Sequence, residues 1–350
     1  MDRQGRAPRS PGSATVVGAV LAALAVLATT ACGRGAEPKV LHVYSARHYG
    51  FEPAFEAFTD RTGVQIELIG GTDDELRQRI VDEGAGGGAD LYLSVDAANL
   101  SLAADQGVFR AIESPQLVSV LPAERRDPDD RWFALTVRLR TIAYSPERVP
   151  ADQRPPTYAD LADPRWAGRL CLGAPSGVYQ RSLVAGLIAA HGEDRALAIV
   201  RGWAANATVV NNDELVLTSI AEGTCDVGVV NHYYLGRLLD TRPGFPVALL
   251  WADQADQAGR GLHQNLSGGG VTRHARQPEL AQQLLEWLAT EGQEPLVTST
   301  HELPANPAVE PDPVAVGVIG SGFSAEPVRA AELARLTPAA VRIVAAAGFR

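Results

Sequence analysis

The strongest constraint on this chain is a repeated order of segments: an apolar run ends, a short loop follows, and an amphipathic stretch begins. From residue 40 to residue 240 strand-like and helix-like stretches alternate. Such alternation predicts an α/β protein whose mostly parallel sheets are covered by helices on both faces, since each strand is carried back by a helical crossover before its neighbour can run the same way. The pattern predicts strands over 40–44, 64–69 and 89–95, and helices over 52–61, 73–83 and 97–106, with Gly107 ending the last. The glycine-rich stretch 84–88 reads as a turn. It precedes a strand and is not followed by Gly-Lys-Ser or Gly-Lys-Thr, so it is not a phosphate loop.

Three of the junctions carry tyrosine. The first strand runs into Ser45-Ala46-Arg47-His48-Tyr49. A strand over 169–172 runs through Gly173 to Tyr179 and a helix over 180–191. The apolar run 227–230 leads into Asn231-His232-Tyr233-Tyr234 and another helix. Adjacent side chains diverge along a strand or helix, so two neighbouring rings converge on one ligand most easily at an element's end. The carboxyl ends of strands are also where open α/β sheets bind ligands. A single tyrosine at a strand end is usually a core-edge residue. Four of eight, at three analogous loops, form a constellation.

The N-terminus carries Arg3, Arg6 and Arg9, then an apolar run over 14–28 and Thr29-Thr30-Ala31-Cys32. This pattern predicts a secretory signal over 1–31, too short to span a bilayer, with Cys32 lipidated as the new N-terminus; ordinary cleavage near Ala31 is the alternative. Losing residues 1–31 removes three Arg and one Asp from a chain with 31 basic and 41 acidic residues, leaving a net charge of −12. So acidic a chain disfavours nucleic acid and anionic membrane as partners. The single lysine, Lys39, carries no functional argument. Cys171 and Cys225 remain, at the starts of two predicted strands; in an exported protein they either bridge or stay as buried thiols. Without Cys-x-x-Cys or His-Glu-x-x-His, a thiolate or metalloprotease zinc site has no support.

A second unit begins near Trp132, with two short strands over 132–144 that place Arg138 and Arg140 on one face. A Pro-rich connection over 155–166, with a short helix at 158–161, joins it to further β-α-β units. Pro243-Gly244-Phe245-Pro246 breaks the pattern, and a strand over 247–251 is expected to return to the first unit. A strand and glycine turn over 263–271 and a long helix over 277–291 complete the expected elements. A chain that leaves one unit, builds another and returns makes two lobes with hinges between, and a cleft where a ligand sits.

These residues resemble the ferric-iron-binding solute-binding lipoproteins of bacterial ABC iron importers. The resemblance rests on Tyr44-Ser45-Ala46-Arg47-His48-Tyr49, Leu161-Ala162-Asp163-Pro164-Arg165-Trp166-Ala167-Gly168-Arg169, Val178-Tyr179-Gln180-Arg181-Ser182-Leu183 and Asn231-His232-Tyr233-Tyr234-Leu235-Gly236-Arg237. Leu303-Pro304-Ala305-Asn306-Pro307 and Ala340-Val341-Arg342-Ile343 also fit, and the match covers nearly the whole mature chain. It implies a two-lobed periplasmic-binding-protein fold of type II. Lobe 1 is expected over 40–137 plus 243–306, lobe 2 over 138–242 plus 307–350, and a linker over 32–39. It further implies Fe(3+) in the interlobe cleft, with Tyr179, Tyr233 and Tyr234 as phenolate ligands and His48 and Tyr49 contributed by the other lobe. Arg138 resembles the basic residue that balances the phenolates or holds a small anion; the alternation leaves open whether Arg138 or Arg140 points inward. Gly50-Phe51 stands where more polar residues are usual.

The chemistry agrees with that implication. Ferric iron is a hard cation suited to anionic oxygen, and a bound cation reverses the usual preference of a phenol for its neutral form. The expected partners are an ABC permease with its ATPase subunit, and a membrane reached through the Cys32 lipid; the chain is expected to be monomeric, not an enzyme, and held at the outer face of the cytoplasmic membrane or in the periplasm. His232, beside the tyrosine pair, is a weaker ligand candidate, and Asp96 and Asn231 read as supporting or turn residues. The alternatives are a binding protein of the same fold for an oxyanion or polyamine, and a secreted enzyme. No Gly-x-Ser-x-Gly elbow or carboxylate pair accompanies the tyrosines, which disfavours the enzyme.

Overall fold

Two long strands hold the molecule together. The computed structural model describes residues 39–47, 50–254, 261–327 and 329–350; the expected signal and lipidation site, and His48 and Tyr49, lie outside the described residues. Ten strands are present among them: β1 Val40–Ser45, β2 Gln65–Gly70, β3 Leu91–Ser94, β4 Phe133–Tyr144, β5 Leu170–Gly173, β6 Ala207–Val210, β7 Val227–Asn231, β8 Ala248–Leu250, β9 His263–Val271 and β10 Leu303–Pro304. The helices are α1 Glu52–Thr62, α2 Asp73–Glu83, α3 Ala97–Asp105, α4 Pro115–Val120, α5 Val178–His191 and α6 Glu193–Asn206. They continue with α7 Asp213–Ala221, α8 His232–Thr241, α9 Pro278–Leu288, α10 Gln293–Thr300, α11 Pro313–Ile319 and α12 Ala330–Ala346. None of the described helices is long and apolar enough to cross a membrane.

The strands join in one sheet of order β2-β1-β3-β9-β4-β7-β5-β6, with β8 and β10 also on β4. Its flanks are parallel, as the alternation predicts: β2, β1 and β3 on one side, β7, β5 and β6 on the other. Its middle is antiparallel, because β4 and β9 run against each other and against both flanks.

Instead of two short strands over 132–144, β4 is one strand of 12 residues, buried throughout. A register shift between Ala134 and Thr136 bends it without ending it. Val137 packs in a first apolar cluster with β1, β3, α1 and α9, whereas Leu139 packs in a second with β5, α5, α6 and α12. One strand thus passes from one core to the other. A third, small cluster surrounds the bonded pair Cys171–Cys225, so the two cysteines form a disulfide.

Several expectations are corrected. The segment expected to return to the first unit over 247–251 pairs as β8 with Ile142–Tyr144, at the second-core end of β4; the return to the first core is made by β9. Gly268, Gly269 and Gly270 lie inside β9, not in a turn. A Cβ on Gly269 would stand 2.6 Å from the Tyr92 carbonyl, and one on Gly268 or Gly270 would strike the carbonyl of Phe133 or Arg131. Glycine here lets β3 and β4 close on β9 from both sides. The long helix over 277–291 is α9, followed after a turn by the separate α10. The short helix at 158–161 is a 3-10 turn at Ala159–Ala162.

The disulfide closes a loop with a sequence separation of 54 residues. Limiting the unfolded chain in this way stabilises the fold by about 4 kcal/mol in the chain-entropy treatment. Cys225→Ala should lose that amount in denaturant unfolding, and reduction should lower the wild type to the variant's level. Equal stability of oxidised and reduced wild type would remove the bridge from the stability account.

Candidate metal centre

β5 and β7 are adjacent and parallel, Leu170 opposite Val227, so the helices that follow them start at the same end of the sheet. Gly177 takes the cap position of α5 with extended backbone, which puts Tyr179 in the first helical turn. Asn231 ends β7 and caps α8 in the same way, putting Tyr233 and Tyr234 in the first turn there. Two loops of different length thereby deliver three phenols to one place. The Tyr233 hydroxyl donates to the Tyr179 hydroxyl at 3.3 Å. The rings of Tyr233 and Tyr234 stack with centroids 4.4 Å apart. Tyr233 is buried and the other two are half-buried. First-turn positions lie at the positive ends of the helix dipoles, which favours an anionic oxygen.

Beneath these rings lies Arg138, 1% exposed. Its guanidinium sits 4.9 Å from the Tyr179 ring centroid. It donates to Ser267 Oγ and to the Leu266 carbonyl, both at 3.0 Å, and stands 3.7 Å from Glu302. Burial works against its charge, but Tyr179, Glu302 and Tyr233 outweigh burial and hold its pKa above the ordinary value. Arg140, two residues on, is paired with Asp213 at 2.8 Å and also meets Asn231 and Gln180. Of the two arginines, Arg138 stands against the tyrosine rings.

Other residues take different places from those expected. His232 is turned into the sheet: its Nδ1 accepts the Leu139 N–H at 3.1 Å, and burial lowers its pKa to about 4. It ties the start of α8 to β4. Asn231 is anchored through its backbone N–H to Asp213 at 2.8 Å, and Asp96 caps α3 while accepting from Asn265 at 2.7 Å. Tyr158, in the Pro-rich connection, is buried; its hydroxyl donates to the Arg140 carbonyl at 2.5 Å and accepts the His263 N–H at 3.1 Å. Among the described residues no group of three His, Cys, Asp or Glu side chains is arranged to hold a metal ion, so a metal reading rests on the tyrosines.

Tyr179 and Tyr234 open on a cleft of about 540 Å³. One wall comes from Thr72, Asp73 and Val95, the other from Gly177, Tyr179 and Tyr234. Thr72 caps α2 in a reciprocal capping box with Glu75, which fixes Asp73 at the rim. Asp73 accepts from the Tyr92 hydroxyl at 2.9 Å, and burial raises its pKa to about 6.

A family model described as "Bacterial extracellular solute-binding protein" matches residues 88–259. Iron uptake protein A1 of Synechocystis sp. is 37% identical over 277 residues, covering 77% of this chain and 76% of that protein. Iron uptake protein A2 of the same organism is 33% identical, covering 96% and 97%. The chain belongs to the ferric-iron-binding solute-binding protein family. Among solved structures, Trichodesmium IdiA (FutA) in complex with iron and citrate ligands superimposes with a TM-score of 0.80 at 31% identity, over 89% of this chain and all of the other. The ferric binding protein from Campylobacter jejuni superimposes with a TM-score of 0.83 at 28% identity. The architecture is therefore the two-lobed periplasmic-binding-protein fold of an extracytoplasmic solute-binding protein.

The raised pKa of Asp73 gives a signed expectation for the metal-free protein. A carboxyl that titrates near pH 6 when folded and near 3.8 when unfolded binds more protons in the native state between those values, so stability falls as pH rises through that window. Asp73→Asn keeps an acceptor for Tyr92 and removes the charge. It should exceed the wild type in stability by up to roughly 3 kcal/mol above pH 6, with the gain vanishing below pH 4. Urea unfolding across pH measures it, and a pH-independent difference would contradict the assignment.

Proposed function

We propose that this protein captures a ferric ion in the cleft through the phenolates of Tyr179, Tyr233 and Tyr234, with His48 and Tyr49 supplied by the facing lobe, and passes it to an ABC permease driven by its ATPase subunit. The observation that carries this reading is the convergence of three phenols from two helix starts over one buried arginine. Phenols gathered this way lose their protons to a strongly acidic cation, and Arg138 offsets the negative charge that accumulates. Relatives named for ferric iron, and a neighbour solved with iron and citrate, support the same cargo. The lobes are taken as 40–137 plus 263–306 and 138–262 plus 307–350, the segment 243–262 going with the second core against which β8 packs, and they close on the ion because neither supplies the full ligand set. The mature chain is taken to be monomeric and anchored by lipid on Cys32 at the outer face of the membrane.

One constellation would suit an enzyme: Ser182 Oγ lies 3.0 Å from His263 Nε2, and His263 Nδ1 lies 2.5 Å from Glu326. Ser182 lies inside α5, where backbone N–H groups serve the helix and none is left to stabilise an oxyanion. Its oxygen also accepts from Asn265 at 2.7 Å. The set ties α5 to β9, and the reading remains a binding protein without catalysis.

Adding ferric citrate to the apoprotein should develop a red to purple charge-transfer band at one ion per chain, lost on mild acidification or on reduction with a ferrous chelator. Tyr179→Phe keeps the ring and removes the oxygen; it should weaken binding by at least about tenfold and shift the band. Tyr144→Phe, at the far end of β4, is the control, since Tyr158 bonds two backbone groups and its replacement would disturb β4 and β9. Wild-type colour and affinity in Tyr179→Phe would sink its role as a ligand. Small-angle scattering should show a smaller radius of gyration with iron; an unchanged profile would confine the site to one lobe and exclude His48 and Tyr49.

A further inference from the structure

Glu302 lies between α10 and β10, 1% exposed and outside the cleft wall. Both its oxygens accept from Arg47 Nη2 at 2.6 Å, and one also accepts from Thr136 Oγ1. Arg47, 4% exposed, donates further to Ser267 Oγ at 2.7 Å, the same oxygen that Arg138 reaches at 3.0 Å. One carboxylate and one hydroxyl thus cross-link two guanidiniums. Burial alone would push the Glu302 carboxyl up, but Arg47 and Arg138 outweigh it and hold it below the usual range.

Arg47 comes two residues after β1 and directly precedes His48 and Tyr49. Ser45 Oγ clamps its backbone, accepting its N–H at 3.1 Å and donating to its carbonyl at 2.9 Å. Its guanidinium also lies 5.4 Å from the ring centroid of Phe51, which is 3% exposed. Arg47 and Phe51 are therefore both fixed in the interior. At the other end of the cross-link Arg138 supports Tyr179.

Stability alone does not account for such a cluster. Buried ion pairs gain little over well-packed apolar residues, and this carboxylate holds Arg47 at 2.6 Å and Arg138 at 3.7 Å, both in the interior. We propose that Glu302 is a positioning residue for metal capture, joining Arg47, which precedes His48 and Tyr49 in the sequence, to the arginine beneath the second-lobe tyrosines. This inference rests on the reading of the cleft as a ferric site.

The test uses ferric citrate titration of the full mature protein, the charge-transfer band, and thermal unfolding of each apoprotein. Glu302→Gln should lose about 10- to 100-fold in iron affinity and shift the band, the effect usual for partners that orient ligands. Glu302→Asp, which keeps the charge, should lie closer to the wild type in both. A folded Glu302→Gln that binds with wild-type affinity and band, however lowered its melting temperature, overturns the proposal. If Glu302→Gln does not fold, Arg47→Gln decides: it keeps a donor and loses the charge that holds Glu302, so a similar loss supports the proposal and wild-type binding refutes it. A wild type that binds no ferric iron instead refutes the cleft assignment, and the positioning role falls with it.

Discussion

Burying two arginines in one interior strand is the constraint from which the rest of this structure follows. A lone guanidinium in a protein core is very costly, so Arg138 and Arg140 on β4 each require partners from elsewhere in the chain. Arg140 takes Asp213 at the start of α7, whose carboxylate also holds the Asn231 N–H. That fixes the cap of α8 and the place where Tyr233 and Tyr234 begin. Arg138 takes Ser267 from β9 and stands near Glu302 beside β10. One arginine is neutralised within the second core, and the other shares its counter-charge with Arg47. Arg138 is thereby held on the side of the tyrosines.

Strand pairing converts this chemistry into geometry. Because β5 and β7 are neighbours running the same way, α5 and α8 start side by side, and residues in their first turns meet although 54 positions separate Tyr179 from Tyr233. Disulfide-linked Cys171 and Cys225 pin those strands near their roots, one on β5 and one just before β7. The glycines of β9 complete the scheme on the other flank by letting β3 approach closely. Helix α12 packs against both α3 and α5, so it lies across the boundary that β4 and β9 cross in the sheet. Motion between the cores has to work through those few elements.

How much of this was legible depended on the range of the interaction. Local signals were readable: the helix over 73–83, the glycine after α3, and the tyrosines at strand-to-helix junctions. They are set by neighbours within a few residues. What escaped was paired across the chain. Nothing near Arg138 and Arg140 reveals that β4 runs unbroken with both of them buried, because their counter-charges, Glu302 and Asp213, are 164 and 73 positions away. Tyr158 looked like a loop residue because the groups it bonds, Arg140 O and His263 N, belong to strands that meet only in the folded sheet. Three consecutive glycines looked like a turn because nothing local reveals that two carbonyl-bearing strands flank them.

On the proposed reading, the arginine against the Tyr179 ring also bears on which metal the site accepts. A net acidic chain draws cations of every kind, yet the Arg138 guanidinium beside Tyr179 repels them at short range. A metal ion gains there only if it displaces enough phenolic protons to outweigh that repulsion. Phenols titrate near 10 when free, so the displacement needs a cation of high charge density. Ferric iron meets that condition, while ferrous iron and zinc, with lower charge, leave more of the phenols protonated and the guanidinium uncompensated. Selectivity then comes from coupling the acidity of the metal to a fixed positive charge, and the tyrosine oxygens could not supply it alone.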